Sequence, residues 1–169
     1  MTCHSERSFL ALSFAGLIFP NTAMAQMPAA IATPEEALVI TLHAEGGQLY
    51  ECKAGSDRKL AWTLREPTAT LRLKGKTVGR HYAGPNWEHT DGSAVGAKVV
   101  AQAPGKTPND IPWLKLNATT HRGQGMLSGV TTVLQINTQG GVHSGPCDKA
   151  SSLYSAPYSA DYVFLQKGG

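Results

Sequence analysis

The sequence predicts an all-β fold, a single antiparallel β-sandwich or small β-barrel of about nine short strands stapled by one disulfide. Three observations predict it. Apolar residues recur with period two in several separate runs, and glycine-containing pairs punctuate the intervals between them. Nowhere does a helical period persist over a window of about 11 residues.

The first element is a processing segment. Arg7 supplies positive charge, Ser8 to Phe19 is apolar, and Ala23-Met24-Ala25 is an A-x-A cleavage site. Residues 1–25 are therefore expected to leave as a signal peptide by cleavage between Ala25 and Gln26, which places the mature chain in the periplasm or the medium. The apolar stretch is shorter than the ~20 residues that a membrane-spanning helix needs, so no membrane span is expected. Cleavage removes Cys3 and leaves Cys52 and Cys147 as the two remaining cysteines in an oxidising compartment, where they are expected to pair.

Residues 26–37 form a Pro- and Ala-containing leader, mobile at its start. In it Thr33-Pro34-Glu35-Glu36 combines a cap residue, a proline and first-turn acids, enough for at most one helical turn. Residues 38–169 form one β-rich domain. Its expected strands are Leu38 to His43, Gln48 to Cys52, a run with Leu60, Trp62 and Leu64 inward, Ala69 to Lys74 and Val78 to Tyr82. They continue with a run carrying Val95, Ala97, Val99 and Ala101 inward, Trp113 to Ala118, a run carrying Val130, Thr132, Leu134 and Ile136 inward, and Asp161 to Leu165. Gly46-Gly47, Gly75-Lys76, Asp91-Gly92 and Gly140-Gly141 are the expected turns. Ala103 to Pro108 and Gly141 to Pro157 are irregular stretches.

Charge excludes some partners. The formal net charge is +3, too mild for a nucleic-acid binder, and export points the same way. Arg58, Lys59, Arg65, Arg72, Lys74, Lys76 and Arg80 cluster around a lone Glu66, which would suit an anionic glycan or phosphate group. Arg72, Lys74 and Lys76 nevertheless alternate with Leu71 and Leu73, the pattern of a strand with one solvated face.

Leu49-Tyr50-Glu51-Cys52, Trp62, Pro67, Gly79-Arg80-His81, Gly84-Pro85-Asn86-Trp87, Asp91-Gly92-Ser93, Ile111-Pro112-Trp113-Leu114, Gly140-Gly141, Cys147 and Tyr158-Ser159-Ala160-Asp161-Tyr162 together resemble the exported domain-of-unknown-function family numbered three-four-five-five. The resemblance spans roughly residues 38 to 165. It implies export, a single domain and a secreted or envelope protein of bacteria or fungi, and it supplies no reaction.

His81 to Ser93 is the densest site-like stretch. His81, His89 and Asp91, joined by His143 from elsewhere, are the candidate ligands of a zinc or copper ion, although their spacing matches no ligand signature. Glu88 and Asp91 are candidates for an acid and base pair. Ser93 lacks a G-x-S-x-G elbow and Ser144 beside His143 lacks the strained turn of a nucleophile. Gly123-Gln124-Gly125 lacks the third glycine of a nucleotide fingerprint and reads as a flexible loop. Trp62 is assigned to the core; Trp87 and Trp113 are the better candidates for exposure and for stacking on a ligand, with core packing the stronger reading for each. The expected function is a non-enzymatic ligand- or surface-binding module using Trp87, Glu88, His89, Asp91 and Trp113, with an unidentified small molecule, glycan or envelope component as partner and no cofactor. The alternative is a metal-dependent enzyme using His81, His89 and Asp91.

Overall fold

The computed structural model describes residues 27–168, so the expected signal peptide, its cleavage site and Cys3 lie outside the described residues. Eight strands follow in order: β1 (Glu36–Ala54), β2 (Leu60–Leu73), β3 (Lys76–Tyr82), β4 (Asn86–His89), β5 (Ala94–Ala103), β6 (Trp113–Arg122), β7 (Thr132–Gly140) and β8 (Leu153–Lys167). Each pairs antiparallel with its neighbours in sequence, and β8 closes on β1, so the sheet is an eight-stranded up-and-down barrel. Closure leaves no free edge, and eight strands enclose a space that side chains fill or that holds one small ligand.

Two expected boundaries are corrected. Gly46-Gly47 makes no turn; both glycines stay in β1, opposite Ala69 and Thr68 of β2. A Cβ on Gly46 would collide with the Thr68 carbonyl oxygen and with Ala69, so this glycine marks a close approach of two backbones. Likewise Leu60 to Leu64 and Ala69 to Leu73 are parts of one strand, which passes through Pro67 next to the register shift between Leu49 and Tyr50. β8 begins at Leu153, well before the expected Asp161, and β4 is an added short strand, giving eight strands in place of nine. The β2–β3 turn sits at Lys74-Gly75, with φ of 49° and 78°, the two left-handed residues that a type I′ hairpin demands.

The leader packs onto the barrel through Ile31, against β5 and β6. A 3-10 turn covers Ala29–Ile31, and Ile31 is fully buried. Thr33 to Glu36 forms a turn with Glu36 N–H donating to the Thr33 carbonyl, where a first helical turn is expected.

Inside the barrel Leu42, Leu71, Trp87, Val95, Leu116, Val133, Tyr162 and Phe164 form the core. Trp62 is absent from that core, which corrects its assignment. β2 pairs with β3 only from Ala69 to Leu73, so Leu60 to Leu64 project past the rim with the end of β1. Loop 141–152 folds onto this projecting hairpin. Trp62 N–H donates to Gly145 O (3.0 Å), Cys147 N–H donates to Leu60 O (3.3 Å), and the expected Cys52–Cys147 disulfide fastens the loop across a sequence separation of 95.

Candidate functional site

β3 and β4 form a hairpin around Ala83-Gly84-Pro85 in which His81 lies directly opposite Trp87. Directly opposed residues share a face of the sheet, here the interior, and their rings stack with centroids 4.7 Å apart and planes 12° from parallel. Tyr162 and Phe164 of β8 meet the indole edge-on at 5.2 and 6.0 Å. Trp87 is 1% exposed. Core packing, the stronger of the two readings of Trp87, is what the structure has, and its use as an exposed stacking platform is corrected: pairing with His81 turns the ring inward although it follows a Gly-Pro turn.

Above this stack the barrel mouth holds a cavity of about 310 Å³. Its walls come from β1 and β2 (Gln48, Leu64 to Pro67), the β3–β4 hairpin (His81, Trp87), Ile111 and Pro112 of the β5–β6 loop, and Leu114, Leu116 and Gln135. Leu64 and Val99 line it while 52% and 49% exposed; they form an apolar rim that water would otherwise cover. Gln135 in this wall is held from behind by two buried tyrosines that do not line the cavity. Tyr158 hydroxyl lies 3.3 Å from that of Tyr162, which donates to Gln135 Oε1 (3.0 Å), and Gln135 Nε2 donates to Pro112 O (2.9 Å). Because the amide oxygen only accepts, Tyr162 spends its proton on Gln135 and accepts from Tyr158. Burial pushes the Tyr158 hydroxyl up to about 12, and that of Tyr162 well above its usual value, so both remain neutral donors.

His81, 3% exposed, donates from Nδ1 to the Asn86 carbonyl (2.8 Å). Burial lowers its pKa to about 4, against the weaker opposing effect of that hydrogen bond. A histidine held neutral inside the fold costs stability on acidification, since the unfolded chain binds the proton first. Stability should be complete above about pH 6.5 and fall through the window down to about 4, by roughly 3 kcal/mol at 1.36 kcal/mol per unit. Urea unfolding at pH 7 and pH 4.5 checks this, and His81→Phe should flatten most of that slope.

The remaining candidate residues lie elsewhere. Asp91 ties the β4–β5 turn to loop 123–129. Its Oδ1 accepts from Ser93 N (2.8 Å) and Ser93 Oγ (2.6 Å), and its Oδ2 accepts from Met126 N (2.7 Å) and lies 3.0 Å from His89 Nδ1. Ser93 Oγ in turn accepts from Leu127 N (3.1 Å). Loop 123–129 is thereby anchored, which corrects its reading as a flexible loop; a Cβ at Gly125 would strike the Asp91 carboxylate. The Met126 and Ser93 donors hold Asp91 far below the usual carboxylate range. Asp91→Ala should cost about 2 kcal/mol, the scale of lost hydrogen bonds to a charged group, measured by thermal unfolding.

Glu88 faces outward and accepts from Arg80 (3.0 Å) and Arg122 (2.8 Å), and Arg80 covers the Tyr82 ring at 5.1 Å. The Arg80 hydrogen bond, followed by further attraction from Arg80 and Arg122, lowers the Glu88 pKa. With both carboxyl groups biased toward the ionised form, Glu88 and Asp91 lack the raised pKa that a general acid needs. His143 packs against Tyr154 (4.1 Å), Trp62 (5.4 Å) and Tyr50 (5.5 Å) by the disulfide. His89 and Asp91 do come together, but they do not converge with His81 and His143: among the described residues no three His, Cys, Asp or Glu side chains are grouped to hold a metal. Trp113 lies across the wall from Leu116, at a separate groove of about 450 Å³ with Pro28, Lys106, Asn137 and Gln139.

The sequence reading missed Gln48 and Gln135 as cavity residues, and it gave Tyr158 and Tyr162 as candidates for a stacking platform where they are buried in the core. Gln135 was assigned to the wet face of its strand, yet Val133 and Gln135 face inward, and Thr132 and Leu134 on the other face are buried as well. The signal in β8 was the alternation of Tyr158, Ala160, Tyr162 and Phe164 with Ser159, Asp161 and Val163.

A family model described as a protein of unknown function (DUF3455) matches residues 32–75 and 72–166. No curated protein and no solved structure matches the chain. The resemblance carried by the Tyr50-Glu51-Cys52, Gly84 to Trp87 and Tyr158 to Tyr162 segments is therefore borne out, and the chain belongs to the DUF3455 family.

Proposed function

We propose that the chain is a non-enzymatic binding domain that works outside the cytosol and holds a small, mainly apolar molecule in the barrel mouth. The observation that carries this reading is the cavity over the His81–Trp87 stack, with Leu64 and Val99 half exposed on its rim. Barrel mouths are recurrent sites for such ligands, and about 310 Å³ lies at the lower end of their ~300–1,000 Å³ range. The Cys52–Cys147 disulfide fits an oxidising compartment, in keeping with the signal peptide expected over residues 1–25. Among the described residues no helix is long and apolar enough to cross a membrane. The barrel's polarity supports work in water: its interior is apolar, while His43, Glu45, Arg72, Arg80 and Glu88 stand outside, the reverse of a lipid-facing band.

The test is a titration of the full chain with the neutral probe N-phenyl-1-naphthylamine, read by its fluorescence. Binding should be saturable and should fall at least tenfold in Val99→Arg, which puts a charge on the rim without touching the core. Trp113→Ala should leave it unchanged. Binding insensitive to Val99→Arg would refute the location.

A second reading has its own observation. Trp113, with Lys106, Asn137 and Gln139 around its groove, has the flat ring and polar side chains that suit a glycan or another envelope component. Glycan-array binding lost in Trp113→Ala but kept in Val99→Arg would favour this groove over the mouth.

A further inference from the structure

We infer that the mouth cavity takes flat, neutral molecules with a lactam edge, an N–H beside a C=O on an otherwise apolar ring, and that the Gln48 side chain reads that edge through two hydrogen bonds. This rests on the reading of the cavity as a small-molecule site and adds the chemical class that the site selects.

Gln48 of β1 is 6% exposed, and its side-chain amide has no hydrogen-bond partner among the described residues. Its neighbours explain why. Directly opposite it stand Pro67 of β2 and Ala156 of β8, which share its face and carry no polar side-chain group. Two residues away on the same face of the strand are Gly46, with no side chain, and Tyr50. The Tyr50 hydroxyl is already engaged, donating to Gly141 O (2.9 Å) and accepting from His143 N (3.2 Å). Buried polar groups are as a rule paired. Here both ends of one amide are left over, and neither is sealed. The Trp87 indole nitrogen is enclosed and unpartnered, whereas the amide oxygen and nitrogen of Gln48 stay open to the cavity that the residue lines.

The other polar side chains of the wall are engaged or less selective. Gln135 has both ends of its amide bonded, and Arg65 and Glu66 face each other at 3.5 Å. His81 donates from Nδ1 to the Asn86 carbonyl, so its Nε2 is a lone acceptor that takes any O–H or N–H alike. In the open mouth water bonds the Gln48 amide, and a ligand that fills the mouth displaces that water. A hydrocarbon then leaves both ends of the amide unpaired, and a single carbonyl or hydroxyl oxygen leaves one end poorly met. A lactam restores both bonds. Its N–H and C=O lie side by side and match the amide oxygen and nitrogen, as a glutamine matches the edge of a base. Pro67, Pro85 and Pro112 line the cavity with rigid rings that suit a flat body, and the apolar wall of Ile111, Leu114 and Leu116 disfavours an ion.

Calorimetry on the full chain at pH 7 tests this with three bicyclic ligands. The first, 2-quinolone, has the lactam edge; 1-methyl-2-quinolone keeps the carbonyl and loses the donor; 2-naphthol has the outline of the first with one oxygen and no ring N–H. We expect 2-quinolone to bind at least about tenfold more tightly than either of the others, the scale of one hydrogen bond. In Gln48→Leu, which keeps the bulk and removes both ends of the amide, the three should bind alike. The wild-type comparison stands without the variant. Equal binding of the three to the wild type, abolished in Val99→Arg, overturns the lactam preference and leaves the cavity reading standing. A preference for 2-quinolone that persists in Gln48→Leu overturns the role of Gln48. If N-phenyl-1-naphthylamine binds at the mouth and 2-quinolone does not, the lactam preference falls alone; if neither binds, it falls together with the cavity reading.

Discussion

Trp87→Ala should lower the unfolding free energy by about 3–5 kcal/mol, the range for removing a buried large aromatic side chain. The indole is among the largest fully buried side chains and packs on His81, Tyr162 and Phe164. Each such ring pair adds roughly 0.5–1.5 kcal/mol beyond its buried area. Since β4 is only Asn86–His89, its place in the barrel depends on this one anchor more than on its ladder. The loss is a large part of a typical ~5–15 kcal/mol stability, so urea unfolding should show a much lower midpoint. Trp113 is half-buried rather than an exposed platform, but it stands outside the interior core, so Trp113→Ala should cost less, about 1 kcal/mol, the centre of the usual range for point substitutions. Equal losses in the two variants would contradict the assignment of Trp87 to the core.

Replacing both Cys52 and Cys147 by Ser should cost on the order of 4 kcal/mol. Closing a loop of about 100 residues restricts the unfolded chain by up to roughly 4.7 kcal/mol, and the separation here is 95. The effect has a local part as well. Without the bond, loop 141–152 is held to β1 and β2 by hydrogen bonds such as Cys52 N–H to Ser152 O (2.9 Å) and Trp62 N–H to Gly145 O (3.0 Å), and by the Tyr50 hydroxyl, which donates to Gly141 O (2.9 Å) and accepts from His143 N (3.2 Å). His143 should then leave the Trp62 and Tyr154 rings. Thermal unfolding should shift down by roughly 10 °C for a domain of this size, with hydrogen exchange rising first over residues 141–152. A shift below a few degrees would show that the loop is held by other means.

Much of the barrel is legible in the sequence because strands write a period of two. Leu71 and Leu73 against Arg72 and Lys74 give a strand with one wet face, and Asp91-Gly92 gives a turn. What misleads is residue types that serve two physical purposes. Gly75, with Lys74, marks a turn through positive φ, yet Gly46 marks a close approach of two backbones, and only the partner strand tells these apart. Register shifts beside Gly96 and near Val100 break the simple alternation of β5, so Val95 and Ala97 enter the core while Val99 stands on the open rim.

The site is less legible than the fold. His81 and Trp87 were both visible as candidates, one for a metal and one for an exposed platform, but their stacking depends on a register that alternation alone does not set. The cavity walls come from strands far apart in sequence, with Gln48 in β1 and Gln135 in β7. Asp91 looked chemical because a carboxylate lies near two histidines in sequence. Its hydrogen bonds to Ser93 and Met126 show a clasp between loops, a role signalled only by the serine two residues on.

The central claim, a ligand seat over the His81–Trp87 stack, is tested most directly by nuclear magnetic resonance of ¹⁵N-labelled indole groups during titration with 2-naphthol. The chain has 3 tryptophans, so each indole N–H gives its own signal. The Trp87 signal should move progressively and saturate, while that of Trp62, packed under loop 141–152, stays in place. A titration that moves the Trp113 signal and leaves Trp87 untouched would contradict the account.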